Sequence, residues 1–145
     1  MTIEGEYEPS PTGWVRNHVE KIAESGTTDV ATIRGRAVVL MTMRGARSGK
    51  VRKVPVMRVE HDGVYAVVAS QGGAPTHPLC YFNLKANPTI ELQDGREFNT
   101  YRVREVDGAE RDTWWERAVA AFPDYADYQQ STTRRIPVLL LERAD

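Results

Sequence analysis

Six short runs of apolar and β-branched residues, separated by breaks rich in glycine, proline and asparagine, dominate the chain. Residues 37–42 (AVVLMT) form a continuous apolar run suited to a buried strand. Residues 51–59 set Val51, Val54, Val56 and Val59 among polar positions, with Pro55 inside the run. Proline donates no ladder hydrogen bond, so this strand is expected at an edge, or bulged or interrupted at Pro55. His61, Asp62 and Gly63 signal a hairpin turn that leads into a strand over residues 64–69. A strand over residues 89–93, a hairpin at Asp94 and Gly95, a half-exposed alternating strand over 98–106 and a buried strand over 136–141 complete the set. Helical spacing occurs over residues 14–24, where Val15, Val19, Ile22 and Ala23 recur on one side between Pro11 or Thr12 and Gly26. It occurs again over residues 109–122, where Trp114, Ala118 and Ala121 share a face with Trp115, Val119 and Phe122 beside it. Pro123 stops that helix, and residues 125–128 read as a short connector. About six strands, mostly joined by hairpins, predict a mainly β fold: a closed or nearly closed antiparallel barrel with flanking helices. Residues 1–36 read as an arm and a helix, and residues 37–145 as the barrel, in one domain overall. Residues 1–12 carry two prolines and little apolar periodicity and are expected to be flexible.

Composition narrows the class. A chain of 145 residues with 41% hydrophobic and 27% charged residues fits a globular domain with one real core. The net charge of −1 offers no general attraction for nucleic acid. The single cysteine, Cys80, forms no internal disulfide, which suits a reducing, cytoplasmic setting. No apolar run approaches the length of a membrane span, and the acidic first residues do not resemble a signal peptide. Weak contact of the first helix with a membrane surface stays open, although only Arg16 and Lys21 are basic there.

Two stretches hold candidate chemistry. The first runs from Val68 to Pro88: a strand end, the turn Ser70-Gln71-Gly72-Gly73, and a short helix closed by Asn87 and Pro88. Paired glycines let a ligand approach the main chain, and a helix start leaves N–H donors free, yet such turns are also common as plain connections. The second holds Arg44, Arg47, Lys50, Arg52, Lys53 and Arg58, six of 19 basic residues, with no acid among them. It reads equally as an anion-binding patch and as a solvated hairpin whose charges discourage edge pairing; Gly45 and Gly49 tilt it toward a ligand. His18, His61 and His77 lack metal-ligand spacing, and Cys80 three residues after His77 reads as packing rather than as a nucleophile. With no metal set, elbow motif or evident nucleophile, an enzyme built this way needs a cofactor for the hard step.

Residues 45–55 (GARSGKVRKVP), 69–73 (ASQGG), 78–88 (PLCYFNLKANP), 122–129 (FPDYADYQ) and 135–138 (RIPV) together resemble the deazaflavin-dependent nitroreductase family, a likeness running from about residue 37 onward. The resemblance implies an FMN-binding-like split β-barrel that binds coenzyme F420, a deazaflavin with a phosphate and an oligoglutamate tail. Cofactor contacts would then come from Ala46, Arg47 and Ser48; from Arg52, Lys53 and Val54; from Val68, Ala69, Ser70 and Gln71; from Leu79, Cys80, Tyr81, Phe82 and Asn83; and from Tyr125. A polyanionic ligand suits the one cationic stretch of the chain. The implied reaction is hydride transfer to a conjugated small-molecule acceptor, such as a quinone, enone or nitroaromatic, with Ser70, Tyr125 and Tyr128 as donors to it. Without the resemblance, these tyrosines read as caps on the core beside Phe122. The family's nitroreductase carries tyrosine at the position of Phe122, tryptophan at Cys80, lysine at Gln71 and Arg-Lys at Ala46-Arg47, so nitro reduction is the part these changes put in question. A non-catalytic deazaflavin- or flavin-binding carrier is the alternative, and a homodimer is compatible with such a barrel.

Overall fold

The computed structural model describes residues 3–144. Helix α1 (Gly13–Ser25) precedes strands β1 (Thr32–Ile33), β2 (Arg36–Arg44), β3 (Val51–Met57), β4 (Glu60–His61) and β5 (Val64–Val68). Helix α2 (Leu79–Ala86), strands β6 (Thr89–Asp94) and β7 (Glu97–Val106), helices α3 (Gly108–Ala121) and α4 (Asp124–Gln130), and strand β8 (Val138–Arg143) follow.

All pairings among the named strands are antiparallel, and they run β2-β6-β7-β8-β5-β4, with β3 on the other side of β2. Only Arg58 and Val59 separate β3 from β4, and the Ala66 N–H donates to the Val59 carbonyl at 2.9 Å, so the two segments act as one bent stave. The circuit therefore closes through six staves, and closure leaves few free edges. The exception is the first part of β3, which pairs with β2 but not with β5. That open seam is the split of the barrel, bordered by the start of β3 and the end of β5. β3 runs unbroken through Pro55, opposite Leu40, because its missing N–H faces the unpaired edge.

The barrel interior holds Val39, Met41, Met43, Tyr65, Val67, Leu84, Ile90, Leu92, Tyr101, Val103, Leu139 and Leu141, with Leu84 reaching in from α2. A second cluster lies between α3, α4 and the outer residues Ala66, Val138 and Leu140. Val15, Val19 and Ile22 of α1 pack on Val38 and Leu40 of β2. That packing turns Val15, Val19 and Ile22 inward and leaves Trp14 exposed, and no helix among the described residues is long and apolar enough to cross a membrane.

Two expectations need correction. Residues 6–8 of the arm are not loose. Tyr7 bridges in parallel to Val51, with Val51 N–H donating to the Glu6 carbonyl (2.8 Å) and Glu8 N–H to the Val51 carbonyl (2.9 Å). The open edge of β3 supplies the hydrogen bonds and its cations attract the arm's acids; residues 1 and 2 lie outside the described residues. Residues 125–128 are helical, not a connector. Phe122 before proline is extended (φ −146°, ψ 91°), which ends α3, while Pro123 at φ −57° starts α4 at once.

Candidate functional site

The seam brings the two candidate stretches together. β3 runs toward β4 and β5 runs away from it, so residues 51–54 and 68–70 border the same open end. Beside them lie α2 and α4.

The β2–β3 turn carries Ala46, Arg47 and Ser48, all exposed. Its Ala46 N–H donates to Asn83 Oδ1 of α2 at 2.8 Å, which ties two of the expected contact segments to one another. Arg47 makes no ion pair among the described residues. The other cations do not form one patch with it. Arg58 stands at the far end of β3, paired with Asp94 at 2.9 Å. Arg52 pairs with Glu8 (3.1 Å), Lys50 with Glu6 (3.6 Å), and Lys53 Nζ lies 5.8 Å from the Tyr7 ring centroid. The arm's acids thus occupy part of the positive edge, and Arg47 stays open. Val54 faces the barrel interior, partly buried.

Across the seam, β5 ends at Val68, and Ala69 and Ser70 are buried. Ser70 is right-handed (φ −80°, ψ −39°), and Gln71, Gly72 and Gly73 follow at φ 46°, 64° and 81°. Such an order turns successive N–H groups toward one side, a concavity suited to negative charge. The Gly73 N–H donates to Ser70 O and that of Ala74 to Gln71 O. The N–H groups of Gln71 and Gly72, like Ser70 Oγ, have no hydrogen-bond partner among the described residues. A Cβ at Gly72 would meet nothing within 4 Å, whereas one at Gly73 would come to 2.8 Å from the Tyr128 carbonyl oxygen and clash with Ser131 Oγ. The corner is therefore open on the Gly72 side and seated on α4 through Gly73.

Helix α2 offers Leu79 (72% exposed) and Phe82 (48% exposed) to solvent, with Tyr81 in edge contact with Phe82. Tyr81 donates its hydroxyl to Glu105 at 2.8 Å. Cys80 packs against the barrel core, and burial pushes its thiol up to about 11, which keeps it mostly protonated at neutral pH. Tyr125 is 5% exposed, packed edge-on against Phe122 at 5.0 Å between ring centroids. Burial, reinforced by the neighbouring Tyr128 and Cys80, raises its pKa above the ordinary tyrosine value, so the phenol stays protonated and can donate. Tyr128 is half-buried, 6.3 Å from Tyr125 between ring centroids.

Sequence reading missed Arg134. Its guanidinium donates to the carbonyls of Ala69 (3.1 Å), Ser70 (2.6 Å) and Ala74 (2.7 Å), and meets His77 Nδ1 at 2.8 Å. Gln129 of α4 holds this segment in turn, donating to Arg134 O (2.8 Å) and accepting from Ile136 N–H (3.0 Å). Nothing in the local sequence marks Arg134, because its partners stand 57 to 65 residues earlier. Two surface cavities, of about 630 and 490 Å³, lie elsewhere, the first lined by Ile3, Glu4, Arg44 and residues 86–89, the second by Phe98, Arg102 and Arg143 among others. Neither includes Ser70, Arg47 or Tyr125.

The arrangement offers amide and hydroxyl donors at one corner, a free cation on the facing turn, the Tyr125 and Tyr128 rings behind, and exposed apolar side chains alongside. It fits a flat, carbonyl-bearing, anionic molecule. Residues 14–143 match the family described as F420H(2)-dependent quinone reductase. An F420H(2)-dependent quinone reductase of Mycobacterium tuberculosis is 32% identical over 108 residues, 72% of this chain and 72% of that protein. A solved F420-H2 dependent reductase is 55% identical, with a TM-score of 0.69 over 72% of this chain and 93% of its own. A solved domain-swapped dimer is 54% identical, with a TM-score of 0.73 over 92% of this chain and 100% of its own.

Proposed function

Because the chain belongs to the F420H(2)-dependent quinone reductase family, we propose that it reduces quinones with coenzyme F420 laid along the barrel's open seam. Quinones come first among the acceptors because the family's description names them; enones and nitroaromatics rank behind. The match across residues 14–143 is the observation that carries this reading, and the donor set at the corner agrees with it.

In this reading, the ring's carbonyl edge meets the N–H groups of Gln71 and Gly72, with Val68 and Ala69 beneath it. Arg47, Arg52 and Lys53 attract the phosphate and tail carboxylates, helped by Ser48 and the Ala46 backbone. Leu79, Cys80, Tyr81, Phe82 and Asn83 of α2 and Val54 of β3 wall the ring and keep water from it. When bound, the reduced deazaflavin supplies a hydride, and a quinone that accepts it and a proton becomes the quinol. Ser70 and Tyr125 donate hydrogen bonds where negative charge develops on the acceptor oxygen, and Tyr128 contributes an aromatic face and a second phenol. The solved domain-swapped dimer that is 54% identical to this chain makes a homodimer the proposed assembly.

Fluorescence quenching of F420 by the purified protein, followed by oxidation of F420H2 on adding a simple naphthoquinone, tests the reading. Quenching and quinone-dependent oxidation are expected. Quenching without oxidation across quinones, enones and nitroarenes would instead identify a carrier of the cofactor, and no quenching would remove the reading altogether.

A further inference from the structure

Arg134 makes four polar contacts and none of them is to a carboxylate. A guanidinium has five donors in a fixed plane and accepts nothing, so each of its bonds fixes the direction of a partner. Here the partners are three carbonyl oxygens of a single corner, those of Ala69, Ser70 and Ala74. In a trans peptide, the C=O and the following N–H point in opposite directions. Holding the Ser70 carbonyl toward Arg134 therefore turns the Gln71 N–H away from it, to the side where Gln71 and Gly72 have no partner among the described residues. The fourth contact adds His77, whose ring is 4.6 Å from that of Tyr81 on α2. Since Arg134 only donates, His77 Nδ1 accepts, and a neutral ring carries its proton on Nε2. One side chain thus sets the corner, and its reach extends to α2.

The corner needs such a restraint. Gln71 is a non-glycine residue at φ 46°, and two glycines follow it, so the segment has little intrinsic preference for this shape. Its own hydrogen bonds are three short turns, from Ser70 to Val68, from Gly73 to Ser70 and from Ala74 to Gln71, and none of them fixes the Gln71 or Gly72 N–H.

We propose that Arg134 is a positioning residue for the reaction: by holding the carbonyls of Ala69, Ser70 and Ala74 from behind, it aims the Gln71 N–H at the bound deazaflavin ring and fixes the corner that carries the Gly72 N–H and the Ser70 hydroxyl. This rests on the reading of the seam as the cofactor site. Binding preorganised donors avoids ordering them at the moment of binding, so affinity for the cofactor and turnover both depend on the restraint.

The test compares F420 binding by the wild type, R134K and R134A, with unfolding midpoints measured in parallel. R134A is expected to bind F420 about tenfold or more weakly, as for the loss of roughly one charge-assisted hydrogen bond's worth of preorganisation. R134K keeps the charge but lacks the planar fork, and is expected to recover only part of that affinity. Guanidinium ion added at millimolar concentration is expected to restore binding to R134A and leave wild-type binding unchanged, which a merely structural role would not produce. If R134A does not fold, R134K decides, with a lowered kcat at saturating F420H2 and weaker F420 binding expected. A folded R134A or R134K that binds and turns over like the wild type overturns the inference while leaving the cofactor site standing. A wild type that does not bind F420 overturns both.

Discussion

A buried phenol on α4 and a partly buried cysteine on α2 stand beside the seam. Tyr125 keeps its proton because burial raises its pKa. Replacing it with phenylalanine leaves the packing against Phe122 in place and removes only the donor. Y125F is expected to lower kcat for quinone reduction roughly tenfold to a hundredfold with little change in F420 affinity, measured by steady-state kinetics beside fluorescence titration. The pH profile follows from the sign of the shift: a phenol whose pKa is raised remains a donor beyond pH 10, so the wild-type rate should show no fall from this group up to that pH. Cys80 gives a second check. With its thiol pushed up to about 11, roughly one molecule in a thousand carries thiolate at pH 8, so iodoacetamide should label the native protein far more slowly than the urea-unfolded chain. Legibility at this scale was uneven. Ser70, Gln71 and the glycine pair stood out because turn chemistry is local. Arg134 did not, since its role exists only once the chain has brought it back to a corner formed some sixty residues earlier.

Among the elements, the corner seats closely on α4 at Gly73. Gly73 is left-handed at φ 81° and lies against Tyr128. G73A is expected to destabilise the protein by about 1–3 kcal/mol in urea or thermal unfolding, and to weaken F420 binding in the fraction that folds, because relief of the clash parts the corner from α4. The arm makes a contrasting prediction. Glu8 holds Arg52, a cation expected to serve the cofactor's anionic portion. E8Q should tighten F420 binding up to about fivefold at low salt, with the gain vanishing at high salt, as for a partly exposed ion pair. The six longer strands were readable from alternation and turn residues, and an edge position was one of the three readings that Pro55 left open for its strand; β1 and β4 were not, because two residues carry no period. The ordering of residues 6–8 was not, because an arm without periodicity carries no signal of the edge that will receive it. Helix α4 was obscured for a similar reason: seven residues are too few for a period to show, and its start depends on the backbone turn at Phe122 and Pro123.

At the scale of the whole molecule, six staves carry two packed clusters on their outside, and the seam exposes backbone donors, charge and apolar surface side by side. The barrel class was legible from the number of strands and their hairpin spacing, and its being split from the family resemblance, whereas the borders of the seam were not, because they arise from β5 pairing with the short continuation of β3 rather than with β3 itself. A relative of 54% identity solved as a domain-swapped dimer leads to the last prediction: light scattering after size exclusion should give about twice the 16.3 kDa chain mass. The pinned arm has a practical side. Because residues 6–8 run in parallel along the open edge of β3, an acidic leader added ahead of them would lie near Lys50 and Arg52, the cations that Glu6 and Glu8 already hold, and would compete there with any anionic ligand. A handle placed beyond β8, which ends on the barrel wall beside β7, avoids that competition.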